Sequence, residues 1–230
     1  MSNNVADVKS KVALAGRILF KLGLVDYLGH TSARSDEGIV IKPKHSPTIR
    51  GMGHLTADQM IVVDSDGSLK SGSDRPPSEV FLHTAIYKAR PDVNAIVHTH
   101  QDAATMMGII ESPVLPLLHI PASYVAADDV QSWPCAALVS DPQLGEELAA
   151  ALGNSTFCHL QGHGIIAVGT SVEEAVVNAA MLEQLSRANL DALATGRKPR
   201  VISDDQLQAL KEHRAPVDGR WAYFVELLSD

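Results

Sequence analysis

Two histidines one residue apart, His98 and His100, close an apolar stretch that begins at Ala95. On an extended backbone, side chains at i and i+2 share a face, so two imidazoles at a strand end can close on one metal ion. A His-x-His pair alone also suits ordinary surface or core positions. Two further stretches favour the metal: Pro77-Ser78-Glu79 upstream and Gln161-Gly162-His163-Gly164 downstream. Together Glu79, His98, His100 and His163 offer three nitrogen donors and one carboxylate. Three neutral nitrogens leave a position open for substrate or water, the arrangement of a catalytic rather than a closed structural site. The cation would stabilise negative charge developing on a substrate oxygen. Glu79 would complete the shell at rest and act as acid or base once substrate displaces it. The competing reading of Glu79 is a helix N-terminal carboxylate facing the dipole.

The elements that must position these groups follow from periodicity and breakers. Val5 to Leu22 carries apolar residues at helical spacing and stops at Gly23. A turn at 29–34 leads into a strand, Ile39–Ile41 is a second, and a loop runs from Lys42 through Gly53. Thr56 caps a short helical turn, and Met60–Val63 pairs across the turn at 64–67 with a strand containing Leu69. Glu79 to Ala89 reads as a helix burying Phe81, Leu82, Ala85 and Ile86, and Ala95–Val97 as the end of a buried strand. Asp102 to Gly108 is helical, and Leu115–Ile120 and Ala136–Val139 read as short strands. A helix over 141–152 ends at Gly153, and Thr156–Leu160 and Ile165–Val168 are strands around Gly-His-Gly. Ser171 and Glu174 form a capping box for a long helix reaching Ala194, with Gly196 as its stop. Asp204–Lys211 and Trp221–Leu228 suggest two more helices. The irregular alternation predicts a mixed sheet covered by helices, in one large domain or two small ones.

Composition bounds the partners. Hydrophobic residues make up 45% and charged residues 20% of 230 residues, the balance of a globular chain long enough for a sizeable core. A formal charge of -8 with no Lys/Arg-rich run disfavours nucleic acid. Cys135 and Cys158 are the two cysteines and form no CxxC, which suits a reducing cytoplasm. No signal-peptide pattern opens the chain, and no apolar run approaches the ~20 residues of a membrane span. Gly51-Met-Gly53 lacks the third glycine and the following helix of a dinucleotide-binding turn.

Three motifs stand in an order that resembles the class II aldolase/adducin family. Ser78-Glu79 opens a helix, with His83 one turn on. Arg90-Pro-Asp-Val-Asn-Ala-Ile-Val-His-Thr-His100 follows, and Leu160-Gln-Gly-His-Gly164 comes after it with Val168-Gly169 behind. The resemblance runs from about Val8 to Gly196. It implies one divalent metal ion per subunit (Zn, Mn, Fe or Co) on His98, His100 and His163, with Glu79 as ligand or acid-base residue. It also implies a single three-layer α/β/α domain over 1–230, a mixed central sheet flanked by helices, assembled as a homotetramer with sites near subunit boundaries. The departures concern the phosphate cradle of the family's sugar-phosphate aldolases and epimerases. Its Gly-Asn-x-Ser turn reads Gly29-His30-Thr31-Ser32 here, its Thr/Ser-Gly loop is replaced by Lys42-Pro43-Lys44-His45-Ser46, and Ser-Ser-Glu reads Pro77-Ser78-Glu79. Gly-His-x-Ser-x-Arg at 29–34, the long loop from Lys42 to Thr56 and Pro116-Leu-Leu-His119 resemble the decarboxylase-type branch, which includes dihydroxyphthalate and hydroxymethylpyridine-dicarboxylate decarboxylases.

The expectation is therefore a metal-dependent lyase that decarboxylates a hydroxylated aromatic or heteroaromatic carboxylate. The alternatives are an aldolase or epimerase working by retro-aldol cleavage on an unphosphorylated hydroxy-oxo substrate, and an adducin-like interaction module. Glu79 and His30 are the expected catalytic residues. Ser32, Arg34, Lys42, Arg75, Ser78, His119 and Tyr124 are expected to bind the small-molecule carboxylate substrate, arginine doing so bidentately. Solvated surface charge is the competing reading for Arg34, Lys42, Lys44 and Arg75. A buried hydrogen-bonded pair is the competing reading for His119 and Tyr124. His83 is the histidine placed to support Glu79 from behind.

Overall fold

The strand that ends beside His100, β5 (Ala95–Thr99), is buried along its whole length. The computed structural model describes residues 3–126 and 129–229. Within them β5 lies between two antiparallel neighbours, β1 (His30–Ser35) and β8 (Gly164–Gly169). The sheet continues outward from β1 through β2 (Gly38–Ile41), β3 (Ile61–Val63) and β4 (Leu69–Ser71). On the other side β8 pairs with β7 (Phe157–Leu160), which pairs with β6 (Val130–Trp133). The eight strands run β4-β3-β2-β1-β5-β8-β7-β6, antiparallel throughout except between β6 and β7. The sheet is thus mixed.

Alternation along β5 supplies both cores. Ala95 and Val97 face one, and Ile96 faces the other. The first core is covered by α1 (Val5–Lys21), α3 (Asp102–Ile109) and α6 (Val172–Ala194), with α8 (Val217–Glu226) behind them. The second is covered by α2 (Val80–Ala89) and α5 (Pro142–Leu152), which pack on each other. Helices on both sheet faces make the three-layer α/β/α fold, and they explain why β5 and β8 are apolar on both faces. Each fully buried Ile or Val there contributes ~1.5–3 kcal/mol.

Local chemistry sets the helix ends. Asn4 caps α1 by accepting from the Ala6 amide, and Gly23 takes the left-handed turn beyond it (φ 70°). Ser171 caps α6 by accepting from the Glu174 amide. The Glu174 carboxylate accepts from the Thr170 amide and hydroxyl, one residue earlier than a capping box at Ser171 requires.

Two expected strands are not strands. Around Pro116 the chain bonds to α6, where the Asn189 side chain accepts from the Leu115 amide and donates to its carbonyl. Proline lacks a ladder donor, and the stretch then turns into a short helix, α4 (His119–Ala122). Residues 136–139 are also irregular, and the Val139 amide is drawn to Glu79. The eighth strand is instead β6, whose Val-Gln-Ser-Trp sequence lacks an apolar run. In α2 the buried positions are Val80, Leu82, His83, Thr84, Ile86 and Tyr87, while Phe81 and Ala85 are partly buried beside α5. A helix between a sheet and a second helix is covered on two sides, so one stripe does not describe it. A seventh helix, α7 (Asp204–Glu212), lies outside both cores.

Replacing the α6 cap, Ser171→Ala, is expected to lower stability by ~1 kcal/mol, read as a shifted urea midpoint with unchanged slope.

Candidate metal centre

Four chain segments end together on the α2 side of the sheet: the start of β1, the end of β5, the β7–β8 turn and the N-terminus of α2. The β1–β5 register pairs His30 with His98, and their ring centroids are 4.9 Å apart. The β7–β8 register pairs Leu160 with Gly164 and leaves His163 in the turn. The two glycines beside His163 have separate tasks. Gly162 adopts φ 62°, which favours glycine. A Cβ on Gly164 would overlap the Thr99 carbonyl oxygen and lie 3.0 Å from the His100 ring, so its absence lets the turn close onto the end of β5.

Glu79 precedes α2 as its N-cap residue but makes no cap bond to it. Its side chain is buried and turns into the cluster. Oε2 lies 3.5 Å from His30 Nε2 and 3.6 Å from His98 Nε2, and Oε1 lies 3.7 Å from His163 Nε2. The Val139 amide donates to Oε1 at 3.2 Å. Burial opposes the charge on Glu79, but hydrogen bonding to His30 and the fields of His98, His30 and His163 outweigh it and hold the carboxyl well below the usual carboxylate range.

The imidazoles are set up as neutral ligands. His98 Nδ1 donates to the Ile165 carbonyl at 3.0 Å, leaving the Nε2 lone pair facing the cluster. That nitrogen meets His100 Nε2 at 3.1 Å. Burial lowers the pKa of both rings, that of His98 strongly. One donor atom each from Glu79, His98, His100 and His163 can be chosen so that all lie within 4.8 Å of one another. Two imidazole nitrogens facing a shared point beside an ionised carboxylate fit a divalent cation such as zinc, manganese, iron or cobalt.

A cavity of about 440 Å³ opens over this cluster, lined by His30, Ser78, Glu79, His100 and His163 and by a basic wall of Lys42, Lys44 and His45. Leu28, Ala136 and Leu138 add apolar surface to it. Lys42 is 3% exposed, and among the described residues its ammonium donates only to the Tyr27 carbonyl, at 3.4 Å. Burial pulls its pKa down to about 8, partly offset by Asp26.

Of the residues expected to bind substrate, Lys42 and Ser78 line this cavity. Five do not, within one chain. Ser32 is buried behind the cavity against His83 and Tyr87. Arg34 donates to the carbonyls of Tyr87, Arg90 and Val93, so its guanidinium closes the C-terminal end of α2. Arg75 and His119 are exposed outside the lining. Tyr124 is in the opposite core, bonded to the Ala215 carbonyl and stacked under Arg214. His45, Ala136 and Leu138 line the cavity without having been singled out, and no local motif marks them.

The sequence of residues 10–190 matches the model of the Class II Aldolase and Adducin N-terminal domain. The chain belongs to this family. It is 32% identical over 96% of its length to 3,4-dihydroxyphthalate decarboxylase of Arthrobacter keyseri, 93% of which is covered. It is 33% identical over 80% of its length to L-fuculose phosphate aldolase of Escherichia coli K12, 82% of which is covered. Among solved structures, an aldolase II superfamily protein from Pseudomonas syringae superposes with a TM-score of 0.83 at 23% identity, over 99% of this chain and 94% of that one. The family and these relatives support a lyase. No helix among the described residues is long and apolar enough to cross a membrane.

The buried ammonium makes stability depend on pH. Its folded pKa of about 8 lies below the unfolded 10.5, so the unfolded chain binds more protons between these values. Relative to Lys42→Met, the parent chain is expected to gain stability as pH rises through that window, read by urea denaturation at a series of pH values. Gly164→Ala is expected to weaken metal binding while leaving the circular-dichroism spectrum unchanged, checked by titrating the metal-stripped protein with zinc.

Proposed function

We propose that the chain is a metal-dependent carboxy-lyase acting on a hydroxylated aromatic or heteroaromatic carboxylate, such as a dihydroxyphthalate-type acid. The observation that carries this reading is the buried Lys42 in the wall of the cavity that holds the imidazole–carboxylate cluster. A buried cation with a single weak hydrogen bond favours an anionic ligand. The decarboxylase relatives add support.

In this reading His98, His100 and His163 hold the metal, with Glu79 as the fourth ligand or as the group that moves a proton. When bound, the metal would polarise a ring hydroxyl and its neighbouring carboxylate and stabilise the negative charge that develops as CO₂ leaves. Lys42 and Lys44 pair with a substrate carboxylate, and the Ser78 hydroxyl adds a hydrogen bond. Glu79 takes the ring-hydroxyl proton, and His30, with Nε2 against Glu79, delivers a proton to the ring carbon that lost the carboxylate and regains one on Nε2 from Glu79. Leu28, Ala136 and Leu138 cover the ring and exclude water.

Retro-aldol cleavage is the second reading, favoured by the fuculose phosphate aldolase relatives and by the same donor set. An enolate-like anion is common to both reactions. We further propose a cytoplasmic homotetramer. Exposed Met106 and Ile109 on α3 and Ile110 just past its end, with Leu118 and Ile120 at α4, supply apolar surface for contacts between subunits.

The purified, metal-reconstituted protein is expected to release CO₂ from a panel of ortho-hydroxy aromatic dicarboxylates. Glu79→Ala and His98→Ala are each expected to lower kcat at least ~100-fold. Carbonyl products from an unphosphorylated aldol panel without CO₂ would replace the decarboxylase with an aldolase. Absence of bound transition metal, with Glu79→Ala harmless, would point to a non-catalytic interaction module.

A further inference from the structure

Behind His30, on the side away from the cavity, runs a line of buried polar groups that the reaction above does not use. His30 Nδ1 lies 2.8 Å from His83 Nε2, His83 Nδ1 lies 2.7 Å from Ser32 Oγ, and Ser32 Oγ lies 2.8 Å from the Tyr87 hydroxyl. All four side chains are buried. Protons along such a line must be ordered one way or the other, because each hydroxyl has one proton and each neutral imidazole has one.

In the inward order His30 donates to His83, His83 to Ser32 and Ser32 to Tyr87. One hydroxyl proton is then left without an acceptor, that of Tyr87 or, if Tyr87 donates to Ser32, that of Ser32, since the two hydroxyls and His83 are the only partners there among the described residues. The bare lone pair of His30 Nε2 would also face the Glu79 carboxylate at 3.5 Å. In the outward order Tyr87 donates to Ser32, Ser32 to His83 Nδ1, and His83 Nε2–H to His30 Nδ1. His30 then presents Nε2–H to Glu79. Each link has a donor and an acceptor, and the charge of Glu79 is met by a proton rather than a lone pair.

We propose that Tyr87, Ser32 and His83 form a one-way hydrogen-bonded chain that holds His30 in the tautomer carrying its proton on Nε2, aimed at Glu79 and the cavity. His83 and Tyr87 are then positioning residues. The chain orients His30 and does not resupply its proton. A relay would end in a buried tyrosinate, and burial pushes the Tyr87 phenol well above its ordinary range. Arg34, 4.7 Å above the Tyr87 ring, and its bonds to the end of α2 keep Tyr87 in place. The consequence for turnover rests on His30 being the proton donor of the proposed reaction, whereas the tautomer itself does not.

The test is ring-nitrogen NMR of the zinc-loaded full-length protein labelled with ¹⁵N-histidine, His30 and His83 being assigned with His30→Gln and His83→Gln. The expected result is a proton on Nε2 and a bare Nδ1 in both rings. Ser32→Ala removes the hydroxyl that donates to His83 Nδ1, so only Glu79 still favours the outward order and His30 should become a mixture of tautomers, whereas Tyr87→Phe leaves Ser32 with His83 Nδ1 as its acceptor and should keep the parent tautomer. A proton on His30 Nδ1 in the parent protein would overturn the chain, as would an unchanged His30 signal in Ser32→Ala. With an active substrate in hand, Ser32→Ala and His83→Phe are expected to lower kcat about 10-fold to 100-fold at unchanged KM and zinc content, with partial recovery in His83→Gln. The expected tautomers without turnover of any substrate would leave the chain standing and the proposed reaction refuted.

Discussion

A buried carboxylate that stays ionised constrains this molecule more than any other single group. Glu79 is shielded from water, and a charge so placed is stable only when its surroundings replace solvent. Three imidazoles and the Val139 amide do this. Each comes from a different part of the chain, so the carboxylate is also the point at which β1, β5, the β7–β8 turn and the segment before α5 are drawn together. The irregular path of residues 136–139, where a strand would have been simpler, follows from that demand.

Helix α2 is clamped to β1 at both of its ends. Before its first turn Glu79 meets His30, and past its last turn Arg34 takes up the carbonyls of Tyr87 and Arg90. Between them His83 and Tyr87 reach Ser32 from the middle of the helix. Polar groups at the sheet–helix interface are costly unless every one is bonded, and here the bonding also fixes the depth at which Glu79 enters the cluster. The same helix face contributes Leu82 and Ile86 to the apolar core, so packing and polar registration act on one element.

The basic wall opposite the donor cluster gives the cavity its chemical bias. Lys42 follows β2, two strands away from β5, and reaches the site because β1 and β2 form a tight hairpin that brings the end of β2 beside the start of β1. A lysine buried here next to ligands suited to a divalent cation is unfavourable without an anion between them. That arrangement is what a dicarboxylate would relieve.

The candidate donor cluster, the long helices and the buried central strands were legible in the residues, because each depends on short-range patterns. His98 and His100 are two apart on a strand, Gly162 and Gly164 bracket one turn, and Ser171 precedes a long amphipathic run. Arg34 and Lys42 show where that legibility ends. Both are basic, both lie near motif residues in sequence, and both read as substrate contacts or, more readily, as surface charge. The β1–β2 hairpin places them at opposite ends, so that Lys42 enters the cavity while Arg34 goes to the far end of α2. Likewise no local pattern marks Tyr87, and its hydroxyl acquires a partner only through packing against β1. Which groups could bind a metal followed from ligand chemistry and local spacing alone. Which charges face the cavity and which polar groups stand behind His30 came only with the folded chain, because these depend on strand register and on contacts between residues more than fifty positions apart.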